Sequence, residues 1–245
     1  MANLATKTIG ELATEVPGAT RLFEKLGIDY CCGGGNSLEA ACSSAGLSLE
    51  EVTLSLEHSK ELAKQPNTSK DWRQERLSAL ISHIVTTHHT FTRGELTRLN
   101  ALFEKVCSVH GQNHPELLSI YKSFRTLSQE LTLHMQKEEQ VLFPYIVRME
   151  EQVLAHSTMP RSPFGTVKNP VRMMTMEHDQ AGDLLAQIRT GSSDFTVPAD
   201  GCSSFRSLYQ SLVALEQDLH QHIHLENNLL FPRAIEMEGS VQNCS

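Results

Sequence analysis

His134-Met135-Gln136-Lys137-Glu138-Glu139-Gln140-Val141-Leu142-Phe143-Pro144 returns 88 residues later as His222-Ile223-His224-Leu225-Glu226-Asn227-Asn228-Leu229-Leu230-Phe231-Pro232. The same offset pairs Tyr121 with Tyr209, Ser123 with Ser211, Leu127 with Leu215, Glu130 with Asp218 and Leu131 with Leu219 upstream, and Met149 with Met237 and Glu150 with Glu238 downstream. A constant offset over this length is the mark of a duplicated element. In each copy two leucines, a His, a Glu and an apolar pair (Val141-Leu142 or Leu229-Leu230) follow helical spacing, so the His and Glu lie on the stripe that faces a core.

A single histidine on an apolar stripe reads as a hydrogen-bonded core residue. Two inward-facing His-x-x-x-Glu pairs on equivalent helices are different, because two carboxylates buried together are costly unless cations neutralise them. A carboxylate-bridged pair of divalent metal ions removes that cost, as in di-iron helical bundles, although the spacing here is HxxxE and not their ExxH.

Working outward, four long stretches carry helical periodicity, roughly 72–107, 115–151, 169–190 and 202–238, broken at Gly111 to Pro115 and at Ser157 to Gly165. No alternating strand pattern competes. Each stretch has one apolar stripe to bury against the other three, so the expected fold is all-α, with a four-helix bundle over 72–240. Before it, 1–58 reads as short helices punctuated by Val16-Pro17, Gly27 and Gly33-Gly34-Gly35, with capping boxes expected at Asn36 to Glu39 and Ser48 to Glu51. The polar stretch 59–71, with Pro66-Asn67-Thr68-Ser69, reads as a linker.

If a helical hairpin was duplicated, the first and third long helices supply the remaining ligands. His178 is the only histidine of the third, on a stripe with Met174, Ala181, Leu185 and Ile188. In the first, His89 has the matching neighbours Val85, Thr92, Leu96 and Leu99, whereas the His88 direction meets Glu95 and Arg98, which are rarely buried. The expected set is therefore His89, His134, Glu138, His178, His222 and Glu226. Imidazole and carboxylate without thiolate suit iron and leave manganese and zinc open; six ligands on two ions leave positions for a small molecule. A closed structural zinc site is disfavoured, because the carboxylate pair suits a bridged dinuclear centre better. Glu130 and Glu177 lie near ligands, and His224 lies about 200° around the helix from His222, where a solvated or supporting role is expected.

Against 21 Lys and Arg stand 29 Asp and Glu, a formal charge of −8, with no basic cluster to meet phosphates, so nucleic acid is not an expected partner. No apolar run is long enough for a bilayer and residues 1–18 lack an apolar signal core, so a cytoplasmic protein is expected. Six scattered cysteines then read as free thiols. Cys42, Cys107, Cys202 and Cys244 have no partner spacing, and His58, His83, His110, His114, His156 and His220 carry no readable pattern. Cys31-Cys32 stands out: a thiol pair in a glycine-rich loop just ahead of a helix start, where the helix dipole favours thiolate.

With these residues in view, the chain resembles the Repair of Iron Centres family, di-iron proteins associated with mending iron–sulfur clusters after oxidative or nitrosative damage. The resemblance rests on His89 followed by Arg93, the two repeated segments, Glu177-His178-Asp179, and Gly27-Ile28-Asp29-Tyr30-Cys31-Cys32-Gly33-Gly34-Gly35. It implies a small helical Cys-Cys domain ahead of a hemerythrin-like bundle, with two iron ions bridged by Glu138 and Glu226 and terminal histidines at 89, 134, 178 and 222. The chain departs from oxygen-carrying hemerythrins, which have a further histidine where Gly182 stands and end in HxxxxD where this chain has His222-x-x-x-Glu226.

The function implied is a stress response: cluster repair by iron donation, by nitric oxide reduction at the di-iron site, or by both, with Cys31 and Cys32 passing iron or electrons. The alternative is a hemerythrin-like sensor or sink for nitric oxide, oxygen or iron without turnover. Damaged iron–sulfur proteins and small gaseous ligands are the expected partners, and a homodimer is the candidate assembly.

Overall fold

The computed structural model describes residues 4–62, 70–158 and 162–242. The core of the expected linker lies outside them. Among the described residues all regular structure is helical, and Thr8 and Ser37 form one isolated antiparallel bridge. No described helix is long and apolar enough to cross a membrane. The chain divides into two compact units, residues 1–80 with 220–245, and residues 81–219.

The first unit begins with α1 (Ile9–Glu15), α2 (Ala19–Leu26), α3 (Leu38–Ala45) and α4 (Leu49–Leu62). Their ends follow local chemistry. Thr8 caps α1 in a capping box with Glu11, which the sequence reading did not single out. The cap of α3 is Ser37, not the expected Asn36, because the Ser37 side chain accepts the Ala40 N–H. Ser48 accepts the Glu51 N–H as expected. Helix α2 stops at Gly27, whose φ of +67° suits a residue without Cβ and lets the Ile28 N–H reach the Phe23 carbonyl. Ile9, Leu12, Phe23, Tyr30, Leu38 and Leu56 centre the core of these helices.

The remaining elements are α5 (Leu77–His83), α6 (Thr90–His110), α7 (Glu116–Lys137), α8 (Phe143–Leu154), α9 (Lys168–Gly191), α10 (Ser203–Leu225) and α11 (Phe231–Gln242). Residues 203–219 of α10 belong to the second unit, and the chain from His220 to the first. In the second unit α6, α7, α9 and α10 share one apolar core, with Phe103, Phe124, Leu185 and Leu215 among its members. At about 1.5–3 kcal/mol for each large side chain removed from water, this core is the main support of the unit.

Among the described residues three π-helical turns interrupt the helices: Ile84–His89, Glu138–Leu142 and Glu226–Leu230. The last two occupy equivalent positions in the repeat, each just ahead of Phe-Pro. Pro144 and Pro232 lack an N–H, and their rings would strike the carbonyl four residues back in a regular helix; a widened turn before each accommodates them. Of the expected apolar pairs, Leu229 and Leu230 are both buried in the second copy, whereas in the first Leu142 is buried and Val141 is 46% exposed.

Candidate metal centre

The second unit gathers four of the six expected ligands. His89 ends the first π turn, His134 lies in the last turn of α7, Glu138 opens the second π turn and His178 sits midway along α9. All four are buried, Glu138 and His89 completely. The Glu138 Oε2 lies 3.4 Å from His89 Nε2 and 3.3 Å from His134 Nε2. His134 and His178 face each other through their Nε2 atoms at 3.1 Å. His134, Glu138 and His178 each offer a ligand atom within 4.8 Å of the other two. Around His178 the expected neighbours Met174, Ala181, Leu185 and Ile188 are all buried.

The outer nitrogens explain why the inner ones are available. His89 Nδ1 lies 2.6 Å from Glu139 Oε1, which also accepts from Arg93. His134 Nδ1 lies 2.9 Å from Glu177 Oε2, and Lys137 pairs with the same carboxylate. Burial pushes the Glu139 carboxyl up, but the hydrogen bonds to His89 and Arg93 outweigh it and hold it below the usual range. The bond to His134 together with Lys137 overcomes burial at Glu177 and pushes it down to about 2. An ionised carboxylate on Nδ1 keeps the proton there and leaves the Nε2 lone pair pointing inward, the arrangement that orients metal-binding histidines. Glu177 was visible in the sequence only as a neighbour of His178. Glu139 was missed, although its identity within the duplicated segment, Glu in one copy and Asn227 in the other, was the available signal.

His88 is also buried, at 7% exposure, contrary to a reading in which its direction met solvent-facing charges. The π turn widens the helix at this point, and His88 Nδ1 finds Asp218 Oδ1 of α10 at 2.9 Å. It is a supported core histidine whose Nδ1 faces Asp218.

In the first unit His222 Nε2 lies 3.0 Å from Glu226 Oε1, both side chains buried. The residues after Glu226 carry the Cys-Cys loop. Asn227 donates to the Cys31 carbonyl at 3.1 Å and Asn228 to the Tyr30 carbonyl at 2.9 Å. Gly34 closes this contact, since a Cβ there would meet Asn228 Oδ1 at 2.5 Å. His224 is 4% exposed, packed edge-on against Tyr30 and bonded to Asn228, not solvated; burial pushes it down to about 4. Helical geometry had turned it away from the His222 face correctly, but the far face is covered by the Tyr30 loop. His220 likewise bonds to Glu24, which accepts from the Tyr30 hydroxyl.

Asp29 organises the thiol pair. Its carboxylate accepts the N–H groups of Cys31, Cys32 and Gly33 and the Cys31 thiol, and the two sulfurs stand 3.9 Å apart. The expectation that a helix dipole favours thiolate fails at Cys31. Its bond to Cys32, its burial and the Asp29 charge all push that thiol well above the usual range.

Whether these residues suit iron can be judged from the donors. They are imidazole nitrogens, on rings oriented at His89 and His134 by carboxylates on the outer side, and buried carboxylate oxygens, with no thiolate among them. Two Nε2 atoms 3.1 Å apart have the spacing of neighbouring donors each about 2 Å from one ion. Iron fits this set.

Comparison with known proteins agrees. The hemerythrin HHE cation binding domain matches residues 80–234, and a domain of unknown function (DUF542) matches residues 5–60. The probable iron-sulfur cluster repair protein of Haemophilus influenzae is 36% identical over 95% of this chain and 98% of its own length. The iron-sulfur cluster repair protein YtfE of Escherichia coli O157:H7 is 37% identical over 93% of this chain and 96% of its own. With both domains in order and near-complete coverage of these relatives, the chain belongs to the Repair of Iron Centres family, the family of the YtfE-type iron-sulfur cluster repair proteins.

Proposed function

We propose that this protein repairs iron–sulfur clusters damaged by oxidative or nitrosative stress in the cytoplasm, using two iron ions held in a hemerythrin-like four-helix bundle by His89, His134, Glu138, His178, His222 and Glu226. The observation that carries this reading is the doubled His-x-x-x-Glu element, each copy buried and each Glu opening a π turn, together with the carboxylates of Glu139 and Glu177 on the outer nitrogens of His89 and His134. The names of the relatives supply the substrate class, damaged iron–sulfur proteins.

When bound, the iron pair supplies redox chemistry and open positions for small ligands such as nitric oxide. The chain's own residues do the rest. Glu138 and Glu226 offer carboxylates to neutralise cations in an otherwise apolar setting, where an unpaired charge costs several kcal/mol. Glu139 and Glu177 hold the outer protons of His89 and His134. All six side chains are buried.

The buried, protonated Cys31 favours one further reading, a sensor or sink for nitric oxide, oxygen or iron in which the thiols only support the loop. One experiment separates the two. Iron-loaded protein is mixed with a nitric-oxide-damaged iron–sulfur enzyme, with metal-free protein and free iron as controls, alongside the double variant Cys31→Ser, Cys32→Ser. Repair requires recovery of enzyme activity with the loaded protein alone, reduced in the double variant. No recovery beyond free iron leaves the sensor or sink.

A further inference from the structure

A second cluster of metal-ligating side chains lies at the other end of α6. That helix runs for 21 residues from Thr90 to His110, so its two ends stand about 30 Å apart at 1.5 Å per residue. His110, His114 and Asp200 each offer a ligand atom within 4.8 Å of the other two. His110 is 8% exposed, and its Nε2 is buried without a hydrogen-bond partner among the described residues. An imidazole nitrogen left this way in a protein interior normally costs stability, so its retention calls for a ligand.

The surroundings are arranged for one. His114 Nδ1 lies 3.0 Å from Glu116 Oε1, which leaves its Nε2 directed at Asp200 Oδ1, 2.9 Å away. This is the carboxylate–histidine pairing that orients metal-binding imidazoles. Phe205 packs edge-on against both rings, with centroids 5.4 and 5.5 Å from those of His110 and His114, and fixes their planes.

We propose that His110, His114 and Asp200 form a binding site for one divalent transition-metal ion of the zinc class, separate from the His89–His134–His178 cluster. Two imidazoles and a carboxylate are three protein donors of the kind zinc takes tetrahedrally with a water in the fourth position. The ion would tie the end of α6 to the segment just ahead of α10, joining residues far apart in sequence. Binding displaces the direct His114–Asp200 contact, the proton shared between them passing to solvent, with no redox change.

Co2+ is the probe, since its spectrum reports coordination number. Full-length protein, stripped of labile metal by mild chelation, is titrated with Co2+ alongside His114→Ala and the double variant Cys31→Ser, Cys32→Ser, the last removing the thiol cluster. Expected is about one Co2+ fewer in His114→Ala than in wild type or the double variant, as for a single site. Tetrahedral bands that persist in the double variant and weaken in His114→Ala are expected. Zn2+ should raise the melting temperature of wild type but not of His114→Ala, a change that spares the buried His110. Equal Co2+ stoichiometry in wild type and His114→Ala overturns the site. So does a Zn2+ stabilisation of His114→Ala as large as that of wild type.

Discussion

Glu139 holds His89: its Oε1 lies 2.6 Å from the Nδ1 of a histidine fifty positions earlier, so the residue beside one proposed bridging carboxylate orients a ligand from another helix. Glu177 does the same for His134. Replacing either by Gln keeps the shape but removes the charge that fixes the imidazole proton. Glu139→Gln and Glu177→Gln should each weaken iron binding about 10- to 100-fold, as measured by competition with a chelator, while helical circular dichroism is unchanged. Wild-type affinity in both would show that these carboxylates only decorate the surface.

The loop that carries the thiols depends on a close approach between Gly34 and Asn228. Gly34→Ala places a Cβ 2.5 Å from Asn228 Oδ1, and Asn228→Ala leaves the Tyr30 carbonyl without its donor. Each should cost about 1–3 kcal/mol in the first unit, the penalty of a buried polar group left unmatched or of local overpacking. Hydrogen exchange at residues 30–35 should quicken in both. Exchange as slow as in wild type would mean that Asp29 alone holds the loop.

Much of this was legible in the sequence, and the reasons for the rest are physical. The duplication around His134 and His222 and the stripe around His178 located the helices and these buried histidines and glutamates, because helical period and burial are read directly from spacing. The π turns were not anticipated; Pro144 and Pro232 inside uninterrupted helical patterns were the signal for two of them, while the turn at Ile84–His89 carries no proline. With that turn widened, a fixed 100° step no longer separates a buried His89 from an exposed His88. Contacts between residues remote in the chain, such as Glu139 with His89 or Asn228 with Tyr30, left no periodic trace. The surroundings of His110 and His114 left no pattern for the same reason, since Asp200 and Phe205 complete them from a distant segment.

Tyr30 gives a dependence on pH. Burial first, and then the charge of Glu24, push its hydroxyl well above the ordinary range. A phenol whose folded pKa is raised stabilises the fold fully below its unfolded value, about 10, and that contribution is lost as pH rises beyond it. The unfolded chain then binds fewer protons than the folded one. Stability of the first unit should therefore fall above about pH 10 by up to about 1.4 kcal/mol per pH unit from this residue. In Tyr30→Phe the protein should be weaker near neutrality by about 1 kcal/mol, having lost the bonds to Glu24 and Gln221, yet show a shallower alkaline decline. Denaturant midpoints measured on both proteins across that range check it. Parallel declines would place Tyr30 in contact with solvent.

The central claim is that six side chains from the duplicated element and its neighbours hold two iron ions. Iron analysis of protein purified from iron-replete cells, compared with His89→Ala prepared in the same way, tests it most directly. The account predicts about two iron atoms per wild-type chain, the content of a carboxylate-bridged pair, and a clear loss in His89→Ala at unchanged helical content. A value near one in wild type, zinc in place of iron throughout, or full iron retention in His89→Ala would contradict it.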